Sequence, residues 1–353
     1  MGGGSVSDGD SKRITSLRFL LIVFVVFIHN IDKNEAINYY HLIVNEPVVI
    51  TWLKMFITDI LGSAAVPLFF LFSSYLQFSK NYDYKTLLKK KTRSLLIPYV
   101  LWILCSALLY FIVQSVPQLA VFFQNEKNIV RNWNFVDWLN IFWKHIDIYP
   151  LAGQLWFLRN LIVLVIVSPL LSFLTKKAPA LIFVVMTFFY YRGLPMEFGS
   201  SIFFYMLGWY FANYQISFFE LSDHIKWFEC IILLISVIII HIYLPNAVIF
   251  WKSGVIVACL FFIKLSSLII ANEKLFNIAS YLAEYSFFLY AIHEPFLEMS
   301  LVKISIKIIP LTGFLTLVQF FIPCLITILI GTSLGIILKK YLRPLYNILN
   351  GSR

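Results

Sequence analysis

Charge is scarce in this chain: Asp, Glu, Lys and Arg make up only 13% of 353 residues, about half the share of an ordinary globular protein. So few charges cannot cover the surface of a water-exposed fold, which excludes the soluble domains that the length alone would allow. Cysteine is also sparse. Cys105, Cys230, Cys259 and Cys324 sit inside apolar runs with no CxxC pair and no metal-ligand spacing, so they read as small buried hydrophobes and no metal site is expected. No repeat of fixed period occurs, and the one low-complexity stretch is the Gly/Ser-rich segment 1–13, expected to be a flexible tail. The first apolar run has no small-residue cleavage site and reads as a retained helix; Val6 stands where a myristoylation signal needs Ser or Thr.

What is abundant is apolar and aromatic. Sixty per cent of residues are hydrophobic, 18% are aromatic, and the mean hydropathy is +0.83. Lipid is the solvent this composition suits, with aromatic residues at the interfacial ends of helices. Ten stretches are long and apolar enough to cross a bilayer: 14–31, 55–78, 94–115, 153–175, 178–194, 199–215, 226–244, 247–270, 276–300 and 309–339. The expected fold is therefore an all-α membrane bundle of about ten transmembrane helices. Its single transmembrane domain covers 14–345, followed by a tail, 346–353. The long connection 116–152 contains a segment, 134–146, in which Trp138, Ile141 and Phe142 recur at helical spacing, as in a helix lying in the interface.

The net charge of +10 has no basic soluble domain to serve, so no nucleic-acid partner is expected. Loop charge explains it instead. With ten spans, the side holding both termini carries 17 of the 28 Lys and Arg residues and the other side nine, which places both termini in the cytoplasm.

Ionisable residues inside spans are costly and therefore candidates for function. Arg18 and His29 share the first span; eleven residues make three turns plus about 20°, so both lie on one face, ~16 Å apart along the axis. Snorkelling and an interfacial histidine are the plain alternatives, less easily true together on one face. The run from Lys85 to Arg93 leads straight into the third span. Lys90 and Arg93, one turn apart, suit either anionic lipid or a multiply phosphorylated ligand. Glu284, His293 and Glu294 are unusual in the ninth span, and Pro295 marks a helix break beside the last two. Arg159, one turn from Trp156, is a further intramembrane charge with the capacity to pair with one of these acids. Gly331 and Gly335 form a small-xxx-small pair suited to helix packing.

At these residues the chain resembles acyltransferase family 3, multi-span membrane enzymes that modify surface carbohydrates. Arg18 and His29 match its Arg, ten residues, His pattern; segments 67–76, 89–102, 155–161 and 286–295 resemble four further motifs in order. Thr15, Ser74 and Lys90 depart from the family's usual Asp, Gly and Arg. The resemblance implies transfer of an acyl group, acetyl by preference, from cytoplasmic acyl-CoA to a hydroxyl of a cell-surface or lipid-linked glycan. Acyl-CoA is then a co-substrate and no cofactor is bound. His29 is the expected general base, and Arg18, on the same helix face, is the second expected catalytic residue, a cation anchoring the donor's phosphates. Lys90, Arg93 and Ser73 are expected to bind acyl-CoA, and Trp156, Tyr290, His293 and Glu294 to line the passage or acceptor side. The expected location is a bacterial cytoplasmic membrane, with membrane lipids as surroundings. The rival reading is a proton-coupled transporter or flippase for a lipid-linked sugar; the chain has no internal symmetry of the kind such proteins often show. A purely structural partner in a polysaccharide-export complex is a third reading, against which the Arg18–His29 pair counts.

Overall fold

A computed structural model of the chain describes residues 6–30, 45–80, 82–116, 126–194, 198–244 and 247–351. Among them there are helices and two isolated bridges but no strand. That is what lipid demands, since a helix satisfies its own backbone groups where water cannot.

Helix α1 (Asp8–His29) starts where Ser7 accepts from the Asp10 amide at 3.0 Å, so residues 8–13 of the expected tail continue the helix. Next come α2 (Val48–Phe78), α3 (Tyr84–Gln114), the short α4 (Phe135–Asn140), α5 (Trp156–Lys177), α6 (Pro179–Arg192) and α7 (Gly199–Asn213). Then follow α8 (Phe218–His224), α9 (Trp227–Tyr243), α10 (Val248–Ala271), α11 (Glu273–Ala283), α12 (Ser286–Ile308), α13 (Leu315–Tyr341) and α14 (Arg343–Leu349).

Among the described residues, five helices are long and apolar enough to cross a membrane, and up to seven if the pairs α8–α9, bent by 97°, and α11–α12, bent by 47°, each count as one. The remaining expected spans coincide with α1, set apart by the charges of Lys12, Arg13 and Arg18 in its first half, and with α6 and α7, of 14 and 15 residues. Large apolar side chains such as Leu108, Phe173, Leu181, Ile232 and Leu329 point outward. A surface of this kind in a chain with long apolar helices is that of an integral membrane protein.

The core gathers around α1. Ile22 and Val25, on the Arg18–His29 face, are buried, so that face looks into the bundle. At its N-terminal end, buried Arg13 forks onto Asp223 at 2.7 and 3.1 Å and bonds Ser266 at 2.8 Å, while Tyr75 and Ser217 donate to Asp10 at 2.7 and 2.8 Å. Its C-terminal end fits against a distorted stretch of α2, where a π-helical turn (Phe56–Leu61) runs into a tight turn (Gly62–Ala64). A Cβ on Gly62 would stand 2.7 Å from Cγ1 of Ile28, so glycine is what lets α2 approach the end of α1. Gly331 and Gly335 do what their spacing suggests: added Cβ atoms would meet Leu289 at 2.6 Å and Phe288 at 3.1 Å, so α13 seats these side chains of α12.

The connection before α5 is folded. Asn134 caps α4 in a capping box, and Phe135, Val136 and Leu139 are its exposed apolar face. Of the residues expected at the interface, Trp138 is exposed but Ile141 is buried in the main core, and its carbonyl accepts the Leu151 amide at 2.9 Å. The end of the chain is also packed: Tyr346 and Asn350 are buried, and Tyr346 donates to the Glu284 carbonyl at 2.8 Å.

Candidate functional site

The site is built where a helix ends and another breaks. His29 is the last residue of α1, half-buried. In α12 the first segment (Ser286–Ile292) gives way to a π-helical turn (His293–Leu297), with Glu294 in extended geometry (φ −120°, ψ 159°). Pro295 provides no amide hydrogen, so carbonyls of the preceding turn lose their helical partners. Gln154 takes up two of them, donating through Nε2 to Ala291 O at 3.1 Å and to Glu294 O. Tyr290 completes the clamp by donating its hydroxyl to Gln154 O at 2.6 Å.

The break brings His293 to His29. Their rings meet edge to face, with centroids 5.1 Å apart and planes at 65°. His293 is 0% exposed. Its Nδ1 lies 2.7 Å from the Tyr290 carbonyl, an acceptor only, so the proton sits on Nδ1 and Nε2 offers a lone pair. Nε2 has no hydrogen-bond partner among the described residues, nor has Oε1 of Gln154.

Around this pair the walls are aromatic and thiol-lined. Phe70 packs on Phe157 at 4.7 Å and on Trp156 at 6.4 Å, and Phe157 meets Tyr290 at 6.0 Å. Asn30 donates to the Phe320 carbonyl and to Cys324 at 2.9 Å, and Cys324 lies 3.8 Å from the fully buried carboxylate of Glu298. A groove of about 360 Å³ runs between α3 and α12, lined by Trp102, Cys105, Ile292, Glu294 and Pro295 among others. Among the described residues no cluster of His, Cys, Asp or Glu is arranged to hold a metal ion.

The structure thus joins three of the expected residues, His29, His293 and Tyr290, at one place, connects Trp156 to them only through Phe70 and Phe157, and sets Glu294 in the adjacent groove. It separates others. Arg18 lies three turns down α1, half-buried, without a hydrogen bond or ion pair to any described residue. Ser73 is half-buried on α2. Lys90 and Arg93 are exposed at the start of α3, with Lys90 3.7 Å above the Tyr82 ring. Glu284 pairs with Lys339 at the far end of the bundle from His293. Arg159, a candidate partner for the acids, instead donates to the Trp143 and Ile148 carbonyls at 2.6 and 2.7 Å and stacks on Trp143 (5.1 Å), holding the loop onto α5. Gln154, Asn30 and Glu298 went unremarked in the sequence. The same rule that marks charges in apolar spans would have marked them.

Comparison with known proteins agrees with this picture. The family model described as an acyltransferase domain matches residues 11–336. The succinoglycan biosynthesis protein ExoH of Rhizobium meliloti (strain 1021) is 28% identical over 175 residues, which is 48% of this chain and 44% of ExoH. The aligned part is thus less than half of that relative's length. No solved structure matches.

Proposed function

The chain belongs to the acyltransferase family whose domain matches residues 11–336, and from that premise we propose that it moves an acyl group, acetyl by preference, from cytoplasmic acyl-CoA to a carbohydrate hydroxyl. The acceptor is a cell-surface or lipid-linked glycan, and the membrane is a bacterial cytoplasmic membrane. The observation that carries the reading is His29, at the end of an inward-facing helix stripe and 5.1 Å from the buried His293. A half-buried neutral imidazole is suited to remove a hydroxyl proton near pH 7. The likeness to a succinoglycan biosynthesis protein supports a glycan acceptor.

In this mechanism His29 takes the acceptor's hydroxyl proton as the oxygen attacks the thioester carbonyl. The carbon–sulfur bond breaks, the thiolate of CoA leaves, and the proton held by His29 passes to that thiolate, directly or through water, which restores the neutral base. Arg18, with no ion-pair partner among the described residues, is free to hold an anionic part of the donor. Lys90 and Arg93, exposed before the third span, bind the nucleotide phosphates, with Ser73 lining the donor's path. Ten traverses with cytoplasmic termini suit the contacts between helix ends. Arg13 and Ser266 join the start of α1 to the end of α10, and Asn30 joins the end of α1 to the first half of α13.

The test is release of CoA thiol from acetyl-CoA by purified protein in detergent, wild type against His29→Ala. Release that depends on His29 supports the reading. No release by either protein, with succinyl-CoA and candidate glycans tried as well, transfers the case to a transporter of lipid-linked sugar.

A further inference from the structure

Buried polar atoms are nearly always hydrogen-bonded, so two that are not, at one helix break, call for an explanation. They are Nε2 of His293, whose residue is 0% exposed, and Oε1 of Gln154, whose residue is 3% exposed. Both are acceptors. His293 has committed its proton to the Tyr290 carbonyl, and Gln154 has committed its amide to Ala291 O and Glu294 O. Neither can turn to find a donor without giving up a bond that stabilises the break. A ligand filling them must therefore supply hydrogen-bond donors, and a sugar's hydroxyls are such donors.

The position narrows this further. His293 stands 5.1 Å from His29, ring to ring, so one small molecule with two donors can reach both imidazoles at once. The groove of about 360 Å³, within the range of small-molecule sites, runs beside the break; Ile292 and Glu294 line it while His293 between them faces the bundle interior, where it meets His29. We infer that His293 Nε2 binds a second hydroxyl of the acceptor, next to the one His29 deprotonates, and so selects acceptors with two neighbouring hydroxyls. This rests on the reading of His29 as the base. His293 is a positioning and specificity residue here, and Gln154 fixes its place while offering a second acceptor.

The full-length protein in detergent is assayed with acetyl-CoA and either methyl β-D-glucopyranoside or methyl β-D-galactopyranoside, each beside its series of monodeoxy analogues. The acylated position is read from the product by NMR. Wild type is expected to favour the parent glycoside over the analogue lacking the hydroxyl beside the acylated one by about tenfold or more in kcat/KM, because that analogue leaves Nε2 unfilled. In His293→Asn the side-chain amide still reaches the Tyr290 carbonyl but nothing stands at the Nε2 position; the ratio should fall towards one through a higher KM for the parent. His293→Gln, which carries an oxygen out to that position, should restore part of it. A ratio kept in His293→Asn while both rates fall equally marks a structural role and overturns the inference. So does a wild-type ratio near one, which decides the matter even where the variants fail to fold. Failure of wild type to acylate any of these glycosides, while His29-dependent thiol release persists, overturns the inference and leaves the acyltransferase reading in place. Loss of that release as well removes both.

Discussion

Edge to face, with centroids 5.1 Å apart, the imidazoles of His29 and His293 join the end of the first helix to a break in the twelfth. Each end has its own support. Gly62 makes room for the turn before His29, and Gln154 secures the carbonyls around His293.

Gln154→Ala removes the donor to two carbonyls at the break without touching either imidazole. A buried acceptor left unpaired costs roughly 1–3 kcal/mol, and His293 shifts when the turn relaxes. Transfer by this variant should fall about tenfold or more, while Gln154→Asn, too short to span both carbonyls, should fall nearly as far. A kinetic comparison of purified proteins checks this, and wild-type kcat/KM in Gln154→Ala would refute it.

Arg13 and Arg18 lie on the same helix and should respond oppositely. Arg13 is buried and bonded to Asp223, Ser266 and the Ile263 carbonyl, so Arg13→Ala should destabilise the protein by about 2–3 kcal/mol, seen as a lower thermal midpoint in detergent. Arg18 has no partner among the described residues to lose. Arg18→Ala should keep the midpoint near that of wild type and lower kcat/KM about a hundredfold. Equal midpoints for the two variants would contradict this division.

Arg93→Ala should raise the KM for acyl-CoA about three- to tenfold with little change in kcat, since an exposed cation contributes to binding and not to the reacting bond. An unchanged KM assigns the basic run to anionic lipid.

The loop before α5 should loosen in mild acid. Burial holds the pKa of His145 below its ordinary value of 6.5, and His145 Nε2 bonds Asn128 at 2.8 Å and the ring packs on Trp133 at 5.2 Å. The unfolded loop then binds a proton more readily than the folded one. The stability that neutral His145 supports is complete above about pH 6.5 and declines as pH falls from there towards the lower folded pKa. The protection of amides in 126–152, taken relative to their intrinsic exchange rates, should fall between about pH 7 and pH 5 in wild type and fall less in His145→Gln. An equal response in both proteins would count against His145 as the cause.

Much of this protein was legible without coordinates, because lipid imposes simple rules on sequence. The scarcity of charge led to helices in a bilayer. The interval between Arg18 and His29 placed both on one face, and the burial of Ile22 and Val25 shows that face turned inward. The Gly331–Gly335 spacing marked a helix-packing face, and the structure shows that α12 is what packs there. These features depend on composition and on the periodicity of one helix, which neighbouring residues settle among themselves.

Tertiary structure decided the rest. Glu284, His293 and Glu294 are all ionisable residues of one expected span, yet one pairs with Lys339, one meets His29, and one lines a groove. Arg159, read from the sequence as a candidate partner for one of the ninth-span acids, holds a loop by its carbonyls. Gln154 gained its importance only when a broken helix presented two unpaired carbonyls to it. Which polar group meets which is fixed by packing between segments distant in sequence. A buried polar atom must find its partner in three dimensions, and no local pattern records which one it finds.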